Sequence, residues 1–355
     1  MNIKGLVLSG GAGTRLRPIT HTRAKQLVPV AGRPVLFYGL EWMRAAGIRE
    51  VGIVVGDTHE EIRAAVGDGS QFGLEVTYLQ QDAPRGLAHA VLIAEAFIGS
   101  DPFCMFLGDN LLRDGIEGFV ERFRQGTADA MILLQEVPNP SEYGVAELED
   151  GRVRRLVEKP KEPLSNLALV GVYLFTSCIF DAAKALAPSW RGELEITDAI
   201  QGLVDAGRVV EPHVVTGWWK DTGRLEDMLE ANRLILDTIE TRIEGTVTET
   251  RLDGRVVVGA GAVVERCHVR GPVVIGERAV VRDTYVGPYT ALSEDVVIEH
   301  AEIEHSIVME RSRILGLDAR LEDSLIGADV LITRSQAIPR AHRIMVGDRS
   351  QIEVL

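Results

Sequence analysis

The chain has 355 residues, 46% of them hydrophobic, and a formal net charge of −14. A chain of this length can bury a substantial core and has room for about two domains. The negative charge argues against a general nucleic-acid-binding surface, because a phosphate backbone would be repelled. We therefore expect small-molecule partners and no nucleic acid.

The cysteines and the hydropathy pattern argue against a zinc or redox site and against a membrane span. Cys104, Cys178 and Cys267 lie far apart and lack the CxxC spacing of a zinc or redox site, so we interpret them as free thiols. No uncharged run approaches the roughly 20 residues of a membrane span, and the first apolar run is not preceded by a basic leader. We expect a cytoplasmic enzyme with no membrane partner.

Short apolar runs alternate with amphipathic stretches in the first two thirds of the chain, which predicts strands joined by crossover helices and a mostly parallel sheet. The first βαβ unit combines a strand at Ile3–Leu8, a helix at Val35–Ala46 and a strand at Val51–Val55. Later elements follow the same pattern: strands at Glu75–Gln80, Phe103–Leu107, Ala130–Glu136 and Leu169–Phe175, and a helix at Leu225–Ile239.

From about Gly254 the helical period is replaced by apolar positions about every six residues, as at Val286, Leu292 and Ile298. Residues 258–263, 275–280 and 286–291 resemble hexapeptide repeats. Such repeats build a left-handed parallel β-helix, in which each step forms one side of a triangular coil. We predict this domain over residues 241–355. An irregular antiparallel β-domain is the alternative, because the repeats between 299 and 331 are imperfect.

A glycine-rich segment, SGGAGTRLRP at residues 9–18, follows the first strand. Glycines allow a sharp turn that brings backbone N–H groups close to an anion, and Thr14 and Arg15 add a hydroxyl and a guanidinium. A Walker loop would end in Gly-Lys-Ser/Thr, and a dinucleotide fingerprint would need a third glycine where Leu16 or Arg17 stands. The segment therefore predicts a phosphate-binding loop of another kind.

Residues 8–16, together with KQLVPV at 25–30, resemble the signature of the nucleotide-sugar pyrophosphorylases, most closely the glucose-1-phosphate thymidylyltransferases. The resemblance covers about residues 1–235, and the C-terminal repeats are typical of the longer members. It implies a Rossmann-like nucleotidyltransferase domain over residues 1–240. It also implies transfer of the deoxythymidylyl group of dTTP to α-D-glucose 1-phosphate with Mg²⁺ as cofactor, giving dTDP-glucose for deoxysugar or antibiotic biosynthesis.

The resemblance also implies a nucleotide site. A side-chain amide can pair with the carbonyl and N3–H edge of a pyrimidine. Gln81 and the Gly86 backbone would read the base in this way, whereas we give His89 no catalytic role because we expect it on a core helix. The nucleotide-binding residues implied are Leu8, Gly10, Gly11, Gly13, Thr14, Arg15, Lys25, Gln26, Gln81 and Gly86.

Two carboxylates are candidates for the metal. Asp109 follows the strand Phe103–Leu107, at the edge of a parallel sheet where ligands gather. A lone Asp there is more often a helix cap, so the metal assignment depends on a second carboxylate. Asp221 in WWKDTG, residues 218–223, matches the family's later metal motif. Mg²⁺ prefers oxygen ligands of this kind.

The family resemblance further implies a sugar-phosphate pocket. Glu158 would accept hydrogen bonds from glucose hydroxyls and Lys159 would neutralise the sugar phosphate, although Glu-Lys-Pro alone would be an ordinary turn. The segment GELEITD at 192–198 also matches the family but receives no role. The pocket residues implied are Asn110, Tyr143, Gly144, Glu158, Lys159 and Val170.

The three catalytic residues implied have distinct tasks: Arg15 would stabilise the pyrophosphate leaving group, Lys25 the triphosphate and Lys159 the attacking phosphate. A uridylyltransferase, an enzyme for another sugar and a non-catalytic nucleotide-sugar sensor are alternatives. Many β-helices are acetyl-CoA-dependent acyltransferases, for which the histidine candidates are His268, His300 and His305. We favour a role of the repeats in homo-oligomerisation, because β-helix edges and faces pack readily against a copy.

Overall fold

The structure is a computed structural model that describes residues 1–11 and 13–334. The chain divides into two compact units. The sheet unit comprises Met1–Gly13, Arg23–Val28 and Pro34–Gly223, and the coil unit comprises Thr14–Thr22, Pro29–Arg33 and the chain from Arg224 onward. The domain boundary between residues 240 and 241 stays a prediction.

The elements up to residue 236 are short strands and helices with a few 3-10 turns. The strands are β1 Lys4–Ser9, β2 Pro29–Val30, β3 Arg33–Pro34, β4 Glu50–Val55, β5 Glu75–Gln80, β6 Phe103–Leu107, β7 Asn110–Leu112, β8 Ala130–Glu136, β9 Gly144–Glu149, β10 Arg152–Glu158, β11 Leu167–Phe175, β12 Val210–Val214 and β13 Trp219–Asp221. The helices are α1 Val35–Ala45, α2 His59–Val66, α3 Leu87–Ile93, α4 Glu95–Ile98, α5 Glu117–Gln125, α6 Cys178–Lys184, α7 Ile196–Asp205 and α8 Leu225–Leu236.

The central sheet has the order β10-β9-β11-β6-β1-β4-β5, with β8 on β11 and β12 on β8. Strands β6, β1, β4 and β5 are parallel, whereas β11 runs antiparallel to β6, β8 and β9. The predicted α/β fold class is confirmed, and the sheet combines parallel pairs, among them β12 with β8, with the antiparallel pairs of β11 and the antiparallel pair of β9 and β10. The apolar pattern of β11 predicts a buried strand but contains no information on its direction.

Side chains alternate between the two faces of the sheet and enter two separate cores. Val7 and Phe106 belong to the core formed with α1, α2 and α5. Leu8 and Met105 belong to the core formed with α3, α4, α6 and α7. The sheet is therefore covered by helices on both faces, which explains why its strands read as continuous apolar runs.

The chain after α8 forms stacked parallel strands, from β14 to β29. They are β14 Arg242–Ile243, β15 Thr246–Thr248, β16 Arg251–Asp253, β17 Val256–Val258, β18 Val263–Glu265, β19 His268–Arg270, β20 Val273–Ile275, β21 Val280–Arg282, β22 Tyr285–Val286, β23 Thr290–Leu292, β24 Val297–Glu299, β25 Glu302–Ile303, β26 Ile307–Val308, β27 Arg313–Leu315, β28 Leu325–Ile326 and β29 Leu331–Thr333. They form three sheets, one for each side of a coil.

Every recorded pair among these strands is parallel, which excludes the antiparallel alternative for the described part of the domain. Val263 pairs with Val280 and Val280 with Val297, a spacing of 17 residues that recurs between Arg266 and Asp283. Strands within one coil start five, five and seven residues apart. The period of about six is thus an average, and the parallel β-helix is confirmed, while its handedness stays a prediction.

The corners of the β-helix carry charged residues with positive φ. One such column, here called the corner ladder, consists of Arg278, Asp295, Arg311 and Asp329. Arg278 donates to both carboxylate oxygens of Asp295 at 2.9 Å, and Arg311 bonds Asp329 at 2.7 and 2.8 Å. Opposite charges therefore follow each other from coil to coil at the surface.

Within residues 1–11 and 13–334, no helix is both long enough and apolar enough to cross a bilayer.

Candidate active site

The turn after β1 is shaped by two glycines that make room for polar side chains. A Cβ on Gly10 would lie 3.1 Å from Gln81 Oε1, and a Cβ on Gly11 would lie 3.0 Å from Lys25 Cε. Leu8 pairs with Leu107 next to this turn. Because parallel strands end at one edge of the sheet, the structure brings these predicted nucleotide residues together.

The continuation of the glycine loop belongs to the coil unit. Thr14 and Arg15 are exposed in a 3-10 turn, Thr14–Leu16, while Gly13 has a φ of 61° and precedes that turn. The contacts of Gly13, Thr14 and Arg15 with the nucleotide stay predictions.

Gln81 and Gly86 lie together, as predicted for base recognition. The Gln81 amide Nε2 is 3.5 Å from the Gly86 carbonyl and 3.2 Å from His89 Nδ1. Gly86 has a φ of 101°, and a Cβ there would lie 2.7 Å from the Leu194 backbone nitrogen, so only glycine fits. His89 is half-buried rather than a core residue, and its contact with Gln81 was not indicated by any sequence pattern.

Asp109 is 8% exposed and forms an ion pair with Lys25. The Asn110 amide donates to its second oxygen at 3.0 Å. Burial opposes ionisation, but the Lys25 ammonium and the Asn110 amide outweigh it and hold the pKa of Asp109 below its usual value. The carboxylate is therefore charged at neutral pH.

Strand pairing places the backbone of Asp221 beside that of Asn110. Strand β13 runs antiparallel to β7, and Asp221 is paired with Asn110, the residue after Asp109. Thr222 secures this arrangement, because its N–H and hydroxyl both donate to the Asp109 carbonyl, at 3.0 and 2.7 Å. Carboxylate oxygens are ligands that a hard divalent cation prefers, so two acidic residues whose backbones lie this close fit such a metal in their chemistry.

The predicted sugar residues meet where β9 and β10 pair. Glu158 is opposite Gly144, and a Cβ on Gly144 would lie 3.0 Å from Glu158 Oε2. Thr197 donates to Glu158 Oε2 at 2.6 Å and Arg191 donates to Oε1 at 3.4 Å. Burial, with the nearby Glu195, raises the pKa of Glu158 despite the Thr197 hydrogen bond.

Lys159 and Tyr143 stand beside this carboxylate. Lys159 donates its backbone N–H to the Tyr143 carbonyl at 3.0 Å, and its ammonium is 4.0 Å from Glu158 Oε1. Val170 is fully buried in β11, so its side chain belongs to the core.

Trp219 links Asn110 to Tyr143, two of the predicted sugar-phosphate residues. Its indole N–H donates to Asn110 Oδ1 at 2.5 Å, and its ring meets the Tyr143 ring edge-on, with centroids 5.3 Å apart. Trp219, Thr197 and Arg191 received no role in the sequence analysis. The motifs WWKDTG and GELEITD contained the first two, whereas nothing in the sequence pattern indicated Arg191.

Gln26 is 1% exposed, and its Oε1 has no hydrogen-bond partner among the residues that the structure describes. Ser9 Oγ at the end of β1 is in the same condition. A buried oxygen without a partner is costly, so both atoms require an explanation beyond the packing of the chain.

The β-helix histidines have local partners. His268 Nε2 is 2.9 Å from Asp253, and His305 stacks on Tyr289 with ring centroids 5.3 Å apart. His300 is 3.9 Å from Asp283 with its side chain 71% exposed.

A glycine turn, a buried lysine–carboxylate pair and a second acidic residue at one edge of an α/β sheet define a nucleotide-dependent enzyme of phosphoryl-group chemistry. Residues 4–238 match the model of the nucleotidyl transferase family. The chain belongs to this family, and its full-length relatives place it among the glucose-1-phosphate thymidylyltransferases. Members of the family typically use a divalent metal.

A glucose-1-phosphate thymidylyltransferase from Streptomyces griseus is 56% identical over 354 residues, which is 99% of each chain. One from Streptomyces antibioticus is 54% identical over 355 residues, again 99% of each chain. A solved structure of a candidate glucose-1-phosphate thymidylyltransferase from Bacillus anthracis with sucrose has 37% identity and a TM-score of 0.63. It covers 68% of this chain and 98% of its own, so part of the present chain has no counterpart in it.

Proposed function

We propose that the protein transfers the deoxythymidylyl group of dTTP to α-D-glucose 1-phosphate, giving dTDP-glucose and pyrophosphate, the first step towards dTDP-deoxysugars. The observation that carries the proposal is the Lys25–Asp109 pair beside Asp221, at the sheet edge that also holds the Gly10 turn and Gln81. Full-length relatives named for this activity support the choice of substrates.

Magnesium is the metal we propose, held by Asp109 and Asp221. When bound, it would neutralise charge on the triphosphate. Lys25 binds the triphosphate and Arg15 stabilises the leaving pyrophosphate. Gln26 Oε1, which has no partner among the described residues, accepts a hydrogen bond from the nucleotide. Gln81 and the Gly86 backbone hold the pyrimidine, where His89 fixes the orientation of the Gln81 amide.

The sugar phosphate is held on the other side. Glu158 accepts hydrogen bonds from glucose hydroxyls, oriented by Thr197, and Lys159 neutralises the phosphate. A phosphate oxygen of the sugar phosphate then attacks the α-phosphorus of dTTP in line, and pyrophosphate departs. No general base is required, because the nucleophile is already an anion.

The test is pyrophosphate release with dTTP or UTP and a panel of sugar 1-phosphates, followed by identification of the nucleotide sugar. We expect dTTP with glucose 1-phosphate to give the highest kcat/KM, no turnover after metal chelation and recovery on adding Mg²⁺. Preference for UTP or for another sugar would contradict the substrate assignment. Absence of pyrophosphate release with every pair would contradict nucleotidyl transfer itself.

The role of Arg15 is tested in the same assay. Arg15→Ala should lower kcat about a hundredfold, because one charge-stabilising donor is lost. The exposed neighbour Arg17 provides the matched control, and Arg17→Ala should retain kcat within about twofold. Equal losses in both variants would indicate a general effect of positive charge and contradict the assignment.

We also propose that the protein acts in the cytoplasm, since dTTP and sugar phosphates are charged and do not cross membranes unaided, and that it self-associates. Exposed Ile243 and Leu331, on the first and last strands of the described part of the β-helix, support self-association. Light scattering coupled to size-exclusion chromatography should give a multiple of 38.8 kDa. A mass of one chain at micromolar concentration would contradict this proposal.

A further inference from the structure

Asn232 lies in α8 and is 1% exposed, although a buried amide is costly unless all its groups are paired. Its Oδ1 accepts the backbone N–H of Ala31 at 2.8 Å, and its Nδ2 donates to the Tyr289 carbonyl at 2.8 Å. Because one partner is a donor and the other an acceptor, the amide of Asn232 satisfies both. Asn232 therefore joins three parts of the coil unit: the segment Pro29–Arg33, α8 and the β-helix.

The segment that Asn232 holds turns sharply. Ala31 has a φ of 49° and Gly32 has a φ of 78°, so two consecutive residues are left-handed. These residues form the two-residue turn between the paired strands β2 and β3, and such hairpin turns commonly have positive φ at both positions. The turn is contacted by the Asn232 oxygen and by Val274, whose Cγ1 lies 3.2 Å from the position of a Cβ on Gly32.

Ala31 lies six residues after Lys25 in the chain. Lys25–Leu27 is a 3-10 turn, the Val28 N–H donates to the Lys25 carbonyl at 3.2 Å, and the next residues are the tethered ones. A second part of the coil unit carries Arg15, and there Ile19 Cδ1 is 3.7 Å from the position of a Cβ on Gly327 in the β-helix. The segments that bear Arg15 or follow Lys25 thus both rest on the β-helix.

We propose that Asn232 is a positioning residue: by tying Ala31 to the β-helix at Tyr289, it restricts the Lys25 segment to the conformation that nucleotidyl transfer uses. The link to catalysis rests on the proposed function of Lys25, whereas the restriction of the segment is a property of the chain that is measured without substrate.

The test compares Asn232→Leu with Ser306→Ala. Leucine has a similar volume and forms neither hydrogen bond. Ser306 is a fully buried side chain of the β-helix that donates to the Glu304 carbonyl at 2.6 Å and accepts from Ser324 N–H at 3.1 Å, without contact to residues 29–33. Both variants remove buried hydrogen bonds from the coil unit, so a merely structural role would affect both in the same way.

Hydrogen exchange of residues 25–33 tests whether Asn232 restricts the motion of this segment. We expect faster exchange there in Asn232→Leu, and wild-type exchange there in Ser306→Ala at comparable thermal stability. Equal exchange in the two variants would overturn the proposal. This measurement remains decisive even if the wild-type chain fails to turn over dTTP, which would refute the proposed function alone.

Kinetics decide the link to Lys25. Asn232→Leu should lower kcat/KM for the nucleotide about tenfold, because small displacements of a charge-stabilising group cost one to two orders of magnitude. The KM for the sugar phosphate should stay within about twofold. In a Lys25→Ala background, Asn232→Leu should cause no further loss, since it acts through Lys25. A loss of the same size in that background would overturn the proposal.

Discussion

The sheet unit and the coil unit both contain cation–carboxylate pairs, in different surroundings. Lys25 and Asp109 have side chains 17% and 11% exposed, whereas Arg278 and Asp295 of the corner ladder are 50% and 40% exposed. In both pairs the pKa of the carboxyl is lowered, for Asp295 mainly by the hydrogen bond from Arg278. Solvent screens the exposed pair, so its net contribution to stability is small. Loss of either partner from the buried pair is costly, because it leaves an uncompensated buried charge.

The comparison extends to neutral polar groups. In the sheet unit, Asn110 accepts from Trp219 and donates to Asp109, so its amide belongs to a connected network. In the β-helix, the fully buried Thr290 hydroxyl has no partner among residues 1–11 and 13–334. Both regions thus combine paired and unpaired buried polar groups, since Gln26 Oε1 and Ser9 Oγ at the candidate site also lack a partner among the described residues, and the buried Ser306 hydroxyl of the β-helix is paired.

The largest expected effect is on Asp109. Asp109→Asn removes a proposed metal ligand and leaves the buried Lys25 without its counter-charge, so we expect kcat to fall more than about a hundredfold. The matched change Asp295→Asn also removes a carboxylate bonded to a cation, and it should leave kcat within about twofold because the pair is exposed. Pyrophosphate release measures both, with circular dichroism to confirm folding. Similar losses in the two variants would remove the distinction between buried and exposed pairs.

An intermediate effect is expected at Glu158. Glu158→Gln should raise the KM for glucose 1-phosphate about tenfold, because hydrogen bonds to a charged acceptor are replaced by weaker ones. The KM for dTTP should change less.

The same variant predicts a pH effect on stability. Because the pKa of Glu158 is raised in the folded protein, the protonated carboxyl contributes to the stability of the fold. This contribution is fully present below the usual pKa of the group, near 4.5, and is lost as the pH rises through the pKa in the folded protein. An amide resembles the protonated acid, so Glu158→Gln should be at least as stable as wild type at pH 7. The melting temperature of the variant minus that of wild type should be larger at pH 7 than at pH 4. A smaller difference at pH 7 than at pH 4 would contradict this.

The smallest expected effect is in the β-helix. Thr290→Val keeps the shape of the side chain and removes the unpaired hydroxyl, so the free energy of unfolding should rise by about 1 kcal/mol. Thr284 provides the control, because its hydroxyl donates to the Arg282 carbonyl at 2.7 Å and Thr284→Val should be destabilising. Urea denaturation followed by circular dichroism measures both, and a loss of stability in Thr290→Val would show that its hydroxyl is paired.

Much of the local structure could be read from the sequence. The predicted strands Glu75–Gln80, Phe103–Leu107 and Ala130–Glu136 coincide with β5, β6 and β8, because strands covered on both faces need uninterrupted apolar runs. The predicted helix after Val35 is α1, one residue shorter than expected. The repeats also predicted a parallel β-helix, although the corner turns make the steps unequal.

Tertiary structure decided what depends on distant partners. Asp221 is next to the Asp109 position because β13 pairs with β7, and β11 is antiparallel although its own residues show only that it is buried. Asn232 and Ala31 are 201 residues apart and meet through one hydrogen bond. The sequence determined which segments are strands, helices and coils, since that depends on local periodicity. Which polar groups meet depends on pairing across the chain, and only the folded structure contains that information.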